Sequence, residues 1–375
     1  MTSINQARLL KDLNLLVSTG LGPAPIAPAL CSLLFKIMGA EAGGMCWFSE
    51  RGAPEGFYQQ GSSREVEELF MNHYEELFFG PHEYTPFWSV RNQGRGIGKG
   101  WLAGREYLRS NTFNLLIKPS HFYFLLDAVV DVADVPRLTA CFFRAAQNPF
   151  TEADAKKLTA LIPVLRRIVH KHPNPMIVQS KVTDGGHMLV SHDGTSVEMI
   201  DASAEQILST IRLFNQNIAT IPRFSKPPIF IQSLCDQLRL QHPASASART
   251  EIAMAGGTLA VTAKRLTSAP QTMPAPFSED KTTIVGLEKK ILVAVHFKPA
   301  GAIDVVQGIS ALGLSPLQSR IAMYAAAGGS RTNCALHHRV SNEALKKHLR
   351  EILSAAHCAD WHELTAKLRA ARALA

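Results

Sequence analysis

The chain has 375 residues, 46% apolar and 19% charged, with a formal net charge of +8. That length accommodates two or three domains with their own cores, and this balance excludes a disordered or low-complexity protein.

No uninterrupted apolar run reaches membrane-spanning length. The apolar stretch over residues 21–35 is broken by Pro23, Pro25 and Pro28 and lacks the basic start and cleavage site of a secretory leader. The expected location is therefore the cytoplasm, with no membrane partner. Cys31, Cys46, Cys141, Cys235, Cys334 and Cys358 show no C-x-x-C and no metal-like spacing with histidine. Several lie in apolar runs, as small buried hydrophobes do, which fits a reducing compartment.

In chain order, residues 5–18 form an amphipathic helix with Leu9, Leu13 and Leu16 at helical spacing, and a second apolar helix covers 26–38. Residues 43–49 and 56–60 read as a hairpin turning at Gly52-Ala53-Pro54. A helix over 63–78 and strands over 121–130 and 137–144 follow. Thr151-Glu152-Ala153-Asp154 caps a long helix to about 170, with Leu158, Leu161, Leu165 and Ile168 inward. Helices framing an antiparallel sheet predict an α+β domain over 1–172. The order of elements resembles a GAF-type sensor module.

His172-Pro173-Asn174-Pro175 marks a boundary. Beyond it, strands over 188–191 and 196–200 flank His192-Asp193-Gly194, and helices begin at 202 and 227. Late strands cover 258–265 and 283–295. Between them Ser268 to Ser278, with three prolines, reads as an exposed loop. This order looks like a PAS-like fold, expected to serve as a second sensor or dimerisation domain over 173–299. Residues 300–312 are expected to be a linker.

The most informative stretch is Leu314 to Leu364. Ser315-Pro316-Leu317-Gln318 carries a cap, a proline at the first helical position and a glutamine three residues after the cap. Leu317, Ile321 and Tyr324 share a face, and Gly328-Gly329 stops the helix. Ser330 caps a short helix with Ala335 and Leu336 as its apolar positions, and Ser341 caps a third. There Leu345, Leu349 and Ile352 form a buried stripe, while Lys346, Lys347 and Arg350 cluster opposite, with Glu343 among them. Asp360-Trp361-His362-Glu363 opens a fourth helix. From Leu314 onward nine Lys/Arg stand against four Asp/Glu, so +5 of the net charge sits here, where a phosphate partner would want it. The pattern fits a DNA-reading helix-turn-helix; it also fits a small bundle with a solvated lysine face.

These residues resemble the LuxR-type (GerE-like) helix-turn-helix of bacterial transcription regulators. Leu314, Ser315, Ala326, Gly328, Ser330, Ala335, Val340, Ser341, Lys346, His348, Leu349 and Ile352 match the family pattern over about fifty residues without a gap. Asn333-Cys334 departs from its glutamate-isoleucine, Ala344 from its threonine and Trp361 from its arginine, with an expected loss of two phosphate contacts. The resemblance implies an all-α DNA-binding domain over 313–375. Lys346, Lys347 and Arg350 would face the major groove, where a lysine or arginine reads guanine at about 1–3 kcal/mol of discrimination. Ser330, Ser341, Asn342 and His348 complete the expected DNA-contacting set, His348 on the flank that packs or meets a phosphate.

No catalytic constellation is found: there is no G-x-S-x-G, no H-E-x-x-H and no paired carboxylates in an acid/base context. Gly94-Arg95-Gly96-Ile97-Gly98-Lys99-Gly100 fits neither phosphate-loop spacing. His337-His338 and the His357/His362 pair find no completing ligand and read as surface residues. Neither a cofactor nor a metal is expected. The first domain lacks a phosphoacceptor set, and Trp47, Trp88 and Trp101 do not form the arrangement of lactone-binding relatives. A pocket between its sheet and helices would take a small-molecule effector, with Trp47, Phe122, Phe124 and Phe142 as candidate contacts, although core filling is the commoner role for any one such residue. The expected function is a homodimeric, sequence-specific transcription regulator on two-fold symmetric double-stranded DNA, with half-sites roughly 34 Å apart. The alternative is a signalling protein whose helical domain binds a protein partner instead.

Overall fold

The computed structural model describes residues 3–79, 82–83, 98–170, 175–176, 184–214, 226–240, 247–266 and 290–370. The chain is a mixed α+β protein of two compact units, one made of Met1–Ser180 with Ala300–Ala375 and the other of Lys181–Pro299.

The first unit opens with α1 (Ser3–Ser18) and α2 (Pro23–Met38). Proline at the first position of α2 is harmless because that N–H has no intrahelical partner. Gly39, left-handed at φ 61°, closes the helix by donating to the Phe35 carbonyl. Strands β1 (Ala42–Phe48), β2 (Pro54–Gln60), β3 (Gly100–Leu102), β4 (Phe124–Val132) and β5 (Val135–Arg144) form an antiparallel sheet in the order β2-β1-β5-β4-β3. The helix α3 (Arg64–Leu77) and a run of short helical turns over Arg105–Arg109, Thr112–Ile117 and Lys118–Ser120 lie between β2 and β4 in sequence.

After β5 comes α4 (Glu152–Val169), opened by a full capping box between Thr151 and Asp154, with Leu158, Leu161, Leu165 and Ile168 buried as the sequence predicts. Two side-chain contacts show why α2 and α4 share one face of the sheet. Phe35 of α2 meets Phe142 of β5 edge-on, centroids 6.0 Å apart. Buried Arg144 donates to the carbonyls of Gly39 and Pro149, pairs with Asp154 at 3.4 Å, and lies 4.0 Å over the Phe150 ring. One guanidinium thus ties the ends of α2, β5 and α4.

The second unit holds β6 (Asp184–Ser191), β7 (Val197–Ile200), α5 (Ala202–Ser209), α6 (Ile229–Leu240), β8 (Ser247–Met254), β9 (Gly257–Leu266) and β10 (Lys290–Pro299). Its sheet runs β7-β6-β10-β9-β8, the same strand order as the first. Met188, Val261 and Val293 are among its buried strand residues, with Ile207 of α5 and Leu234 of α6 in the same core. The predicted strand over 283–295 begins outside the described residues, as does the proline-rich loop over 268–278. Strand β8, absent from the sequence reading, supplies the edge.

The segment expected as a linker is a helix. α7 (Gly301–Ala311) buries Ala302, Val305, Val306 and Ile309, a helical stripe that its two glycines obscure. Then follow α8 (Pro316–Ala326), α9 (Arg331–His338), α10 (Asn342–Ala355) and α11 (Trp361–Arg369). Lys11 of α1 donates to the Leu314 carbonyl at 3.0 Å, and Ser310 of α7 donates to Asp12. These bonds tie the C-terminal helices to α1 within the first unit.

Candidate functional site

Each C-terminal helix starts as its sequence dictates. Ser315 and Gln318 form the capping box of α8, while Ser330 and Ser341 accept from Asn333 N and Ala344 N. Gly328, at φ 88°, follows the end of α8, and Arg339, left-handed at φ 55°, turns the chain between α9 and α10. Leu345, Leu349 and Ile352 are buried, and this fixes which face of α10 meets water. On that outer face Lys346, Lys347 and Arg350 are all exposed, as is Asn342 at the helix start. Lys346 is engaged with Glu343 at 2.7 Å. Lys347 and Arg350 make no ion pair among the described residues, so two cations are open to an anionic partner.

The remaining predicted contacts are placed differently. The hydroxyls of Ser330 and Ser341 already serve as caps. His348 is half-buried, and its Nδ1 is covered without a hydrogen-bond partner. Two interior assignments need correction. Leu336, expected to be inward, is 81% exposed, and Cys334 and Ala335 fill that place instead. Of the four histidines expected at the surface, His337, His357 and His362 are exposed, but His338 is half-buried: its ring lies 5.5 Å from that of Tyr324, its Nε2 is covered, and burial pulls its pKa down to about 4.

A second site lies in the first sheet. Directly paired residues on antiparallel strands share a face, so Cys46, Phe57, Thr139 and Val129 form one row, and Gly44, Gln59, Cys141 and Asp127 the next. This face looks toward α3 and the 105–120 turns, and a cavity remains between them. Gly44, Cys46 and Cys141 line its floor, with Phe70, Leu116 and Ile117 above. Gly44 is required by close packing, because a Cβ there would come within 2.4 Å of the Tyr58 carbonyl oxygen. The helical turn above is anchored from its start. Buried Glu83 accepts from Asn111 N at 2.6 Å and from both Thr112 N and Thr112 Oγ1 at 2.9 Å.

Of the four predicted effector contacts, the fold brings only Phe122 to this side, stacked 6.0 Å from Phe143, which lines the cavity. Trp47 and Phe142 belong to the opposite face, which α2 covers. Phe124 pairs with Arg144 and joins that face as well. Strand alternation fails between Phe122 and Phe124 because His121 is left-handed (φ 62°) and β4 begins only at Phe124. Trp88 lies outside the described residues, as does Gly94 to Ile97 of the glycine-rich run.

Asp127 belongs to no motif in the sequence. It is 2% exposed, on the strand face that looks toward the cavity, and no N–H or O–H donates to either carboxyl oxygen, which leaves the Cys141 thiol as its weak partner. Burial pushes its pKa up to about 8, opposed by the hydrogen bond with the Cys141 thiol. Its signal was an acid inside the apolar run Phe124 to Val130, in phase with Leu125 and Val129. Four of the six thiols are buried, and Cys141 and Cys358 are partly covered. Burial pushes every one of them above the ordinary thiol range. Among the described residues no group of three or more His, Cys, Asp or Glu could hold a metal ion, and no helix is long and apolar enough to cross a membrane.

No family model and no curated protein matches the chain. Among solved structures it is similar to one described as the sensor region of a sensor histidine kinase, at 12% identity and a TM-score of 0.16. That match covers 46% of this chain and 63% of the other, so the chain spans less than two thirds of that protein. The class defined by fold and site is a mixed α+β protein with two antiparallel sheets, whose C-terminal helices present a cationic face.

Proposed function

We propose that the protein is a sequence-specific DNA-binding transcription regulator. Its last four helices act as a LuxR-type helix-turn-helix, and its GAF-like first and PAS-like second sheets act as sensor domains. The observation that carries this reading is α10, buried through Leu345, Leu349 and Ile352 and exposing Lys347 and Arg350, which make no ion pair among the described residues. Unpaired cations on an exposed helix face suit both phosphate attraction and guanine contacts in a major groove. Support for the sensor domains comes from the shared strand order and the roofed cavity of the first sheet. An effector that binds the DNA-competent form of a homodimer more tightly would shift the population toward it.

The test is selection from a randomised duplex library at two salt concentrations, with wild type and Lys347→Ala. The expected result is a two-fold symmetric site, a steep salt slope, and a mutant whose base preference relaxes by about 1–3 kcal/mol at one position. Weak, sequence-blind binding that Lys347→Ala leaves unchanged would refute the reading.

One observation favours a second reading, in which the helical domain binds a protein. Leu336 on α9 is 81% exposed, and an exposed large apolar side chain suits a protein interface better than a phosphate backbone. On that reading Leu336→Ser abolishes partner capture while Lys347→Ala does not.

A further inference from the structure

We infer that two copies of the chain pair face to face through the open side of the second sheet, with the two-fold axis running along β10. This rests on the homodimer of the reading above and assigns the surface that makes it.

Side chains alternate along a strand, so every strand of this sheet divides between two faces. Met188, Val190, Val261 and Val293 point into the core shared with Ile207 of α5 and Leu234 of α6, so both described helices of the unit lie on that side. The intervening residues point the other way. Strand register sets Met199, Leu189, Leu292 and Lys264 side by side across β7, β6, β10 and β9, with Leu266 and Ala294 in the adjoining rows. Met199, at the rim, is 69% exposed, and Leu189, Leu292, Leu266 and Ala294 are each partly exposed. A soluble monomer rarely leaves so continuous an apolar patch open.

Size and charge point to a second copy as the occupant. Four of the five strands are eight to ten residues long. At about 4.8 Å between strands and about 3.3 Å per residue, the face measures roughly 600–700 Å². Two such faces bury about 1,200–1,400 Å², which reaches the range of stable dimers, and stacked sheets pack with their strands within about 30° of each other. The margins then choose the axis. Acidic Glu198 and Asp201 stand at the β7 margin, paired within the chain to Lys290 and His187. At the other margin stand Arg249, paired with Glu251, and exposed Lys264, which makes no ion pair among the described residues. A two-fold along β10, the middle strand, lays each β7 margin over the β8 margin of the other copy, so acid meets base. Lys264 of one copy then lies over Leu189 of the other, its stem on the leucine and its ammonium toward the acids. A two-fold perpendicular to the strands would set acid against acid.

The experiment follows the full chain by sedimentation velocity over a concentration series at two salt concentrations. Circular dichroism checks the fold of each variant, since the second unit holds no tryptophan. The expected wild type is a dimer. Leu292→Asp, which would bury two opposed carboxylates at the axis, raises the dissociation constant by roughly a hundredfold or more. Lys264→Glu sets acid against acid at both margins and raises it about tenfold, more at low salt than at high. Two single-cysteine variants and a short bis-maleimide read the axis. Ala294→Cys, on the middle strand, cross-links one copy to the other, while Arg249→Cys, on the edge strand, does not.

A wild type that stays monomeric at every concentration would overturn the inference together with the homodimer, and would leave this face to a different protein. Dimers that survive Leu292→Asp, or that give no cross-link in Ala294→Cys, would put the interface elsewhere and sink the face while the homodimer stands. If Leu292→Asp unfolds the sheet, the two cysteine variants decide alone. Cross-linking of Arg249→Cys, or a tighter dimer in Lys264→Glu, would refute the axis. The duplex selection above stands apart from every one of these outcomes, because a monomer can still select a single half-site.

Discussion

The buried acid makes a definite statement about stability against pH. Asp127 ionises near 3.8 in an unfolded chain and at about 8 in the fold. Between those values the folded chain binds more protons than the unfolded one, so stability falls as pH rises. The contribution is fully present below about pH 3.8 and is lost as pH rises through about 8. At about 1.4 kcal/mol per pH unit, the whole span is worth on the order of 6 kcal/mol. Asp127→Asn keeps the shape and a neutral polar group but does not titrate. Its stability should match wild type near pH 4.5 and exceed it by roughly 2–4 kcal/mol at pH 8. Cys141 across the strand, Cys46 beside it and Tyr107 of the covering turn are all pushed to higher pKa by burial, so none charges in this window. Urea denaturation followed by tryptophan fluorescence reads the correct unit, since Trp47, Trp88, Trp101 and Trp361 all belong to the first and residues 181–299 have none. Parallel stability curves for the two proteins across pH 4.5–8 would refute the assignment of a neutral buried acid.

Three further outcomes are expected. Leu349→Ala, at a 4% exposed position of α10, should destabilise the C-terminal helices by about 2–4 kcal/mol, seen as a lower urea midpoint and lost duplex binding. Glu83→Gln weakens the three hydrogen bonds that start the Thr112–Ile117 turn and should cost about 1–3 kcal/mol, with faster amide exchange over that turn. Ser315→Ala removes the capping box of α8 and should cost about 1 kcal/mol in the urea midpoint, without changing which bases a bound duplex prefers.

Elements whose instructions are local were the legible ones. The Thr151 box, the leucine stripe of α4 and the stripe of α10 each lie within a few turns of one helix, and each stands where its residues predict. The β4–β5 turn was hidden because Ala133 and Asp134 adopt positive φ (50° and 61°) without the usual glycine or asparagine signal. Strand β8 was hidden because, as a sheet edge, it buries only Ala248 and Met254 and keeps a polar side. The cationic face could be read because one helix carries it whole. The cavity could not, because its lining comes from β1, β2, α3, the 112–117 turn, β4 and β5, and only the strand register says which aromatic belongs to which face. Trp47 and Phe142 were attractive for their size; the pairing of Trp47 with Leu138, and of Phe142 with Gly43, puts them on the α2 side.

The coverage of the six thiols has a practical corollary. Alkylation requires a thiolate that reagent can reach, and here every native sulfur is held protonated and at least partly covered. A cysteine introduced at Met199, 69% exposed, or at Leu336, 81% exposed, would be the fast-reacting one at neutral pH. The natural sequence thus offers a dark background for site-directed labels, and a fluorophore or spin probe can be attached to either unit without first stripping the chain of its own sulfur.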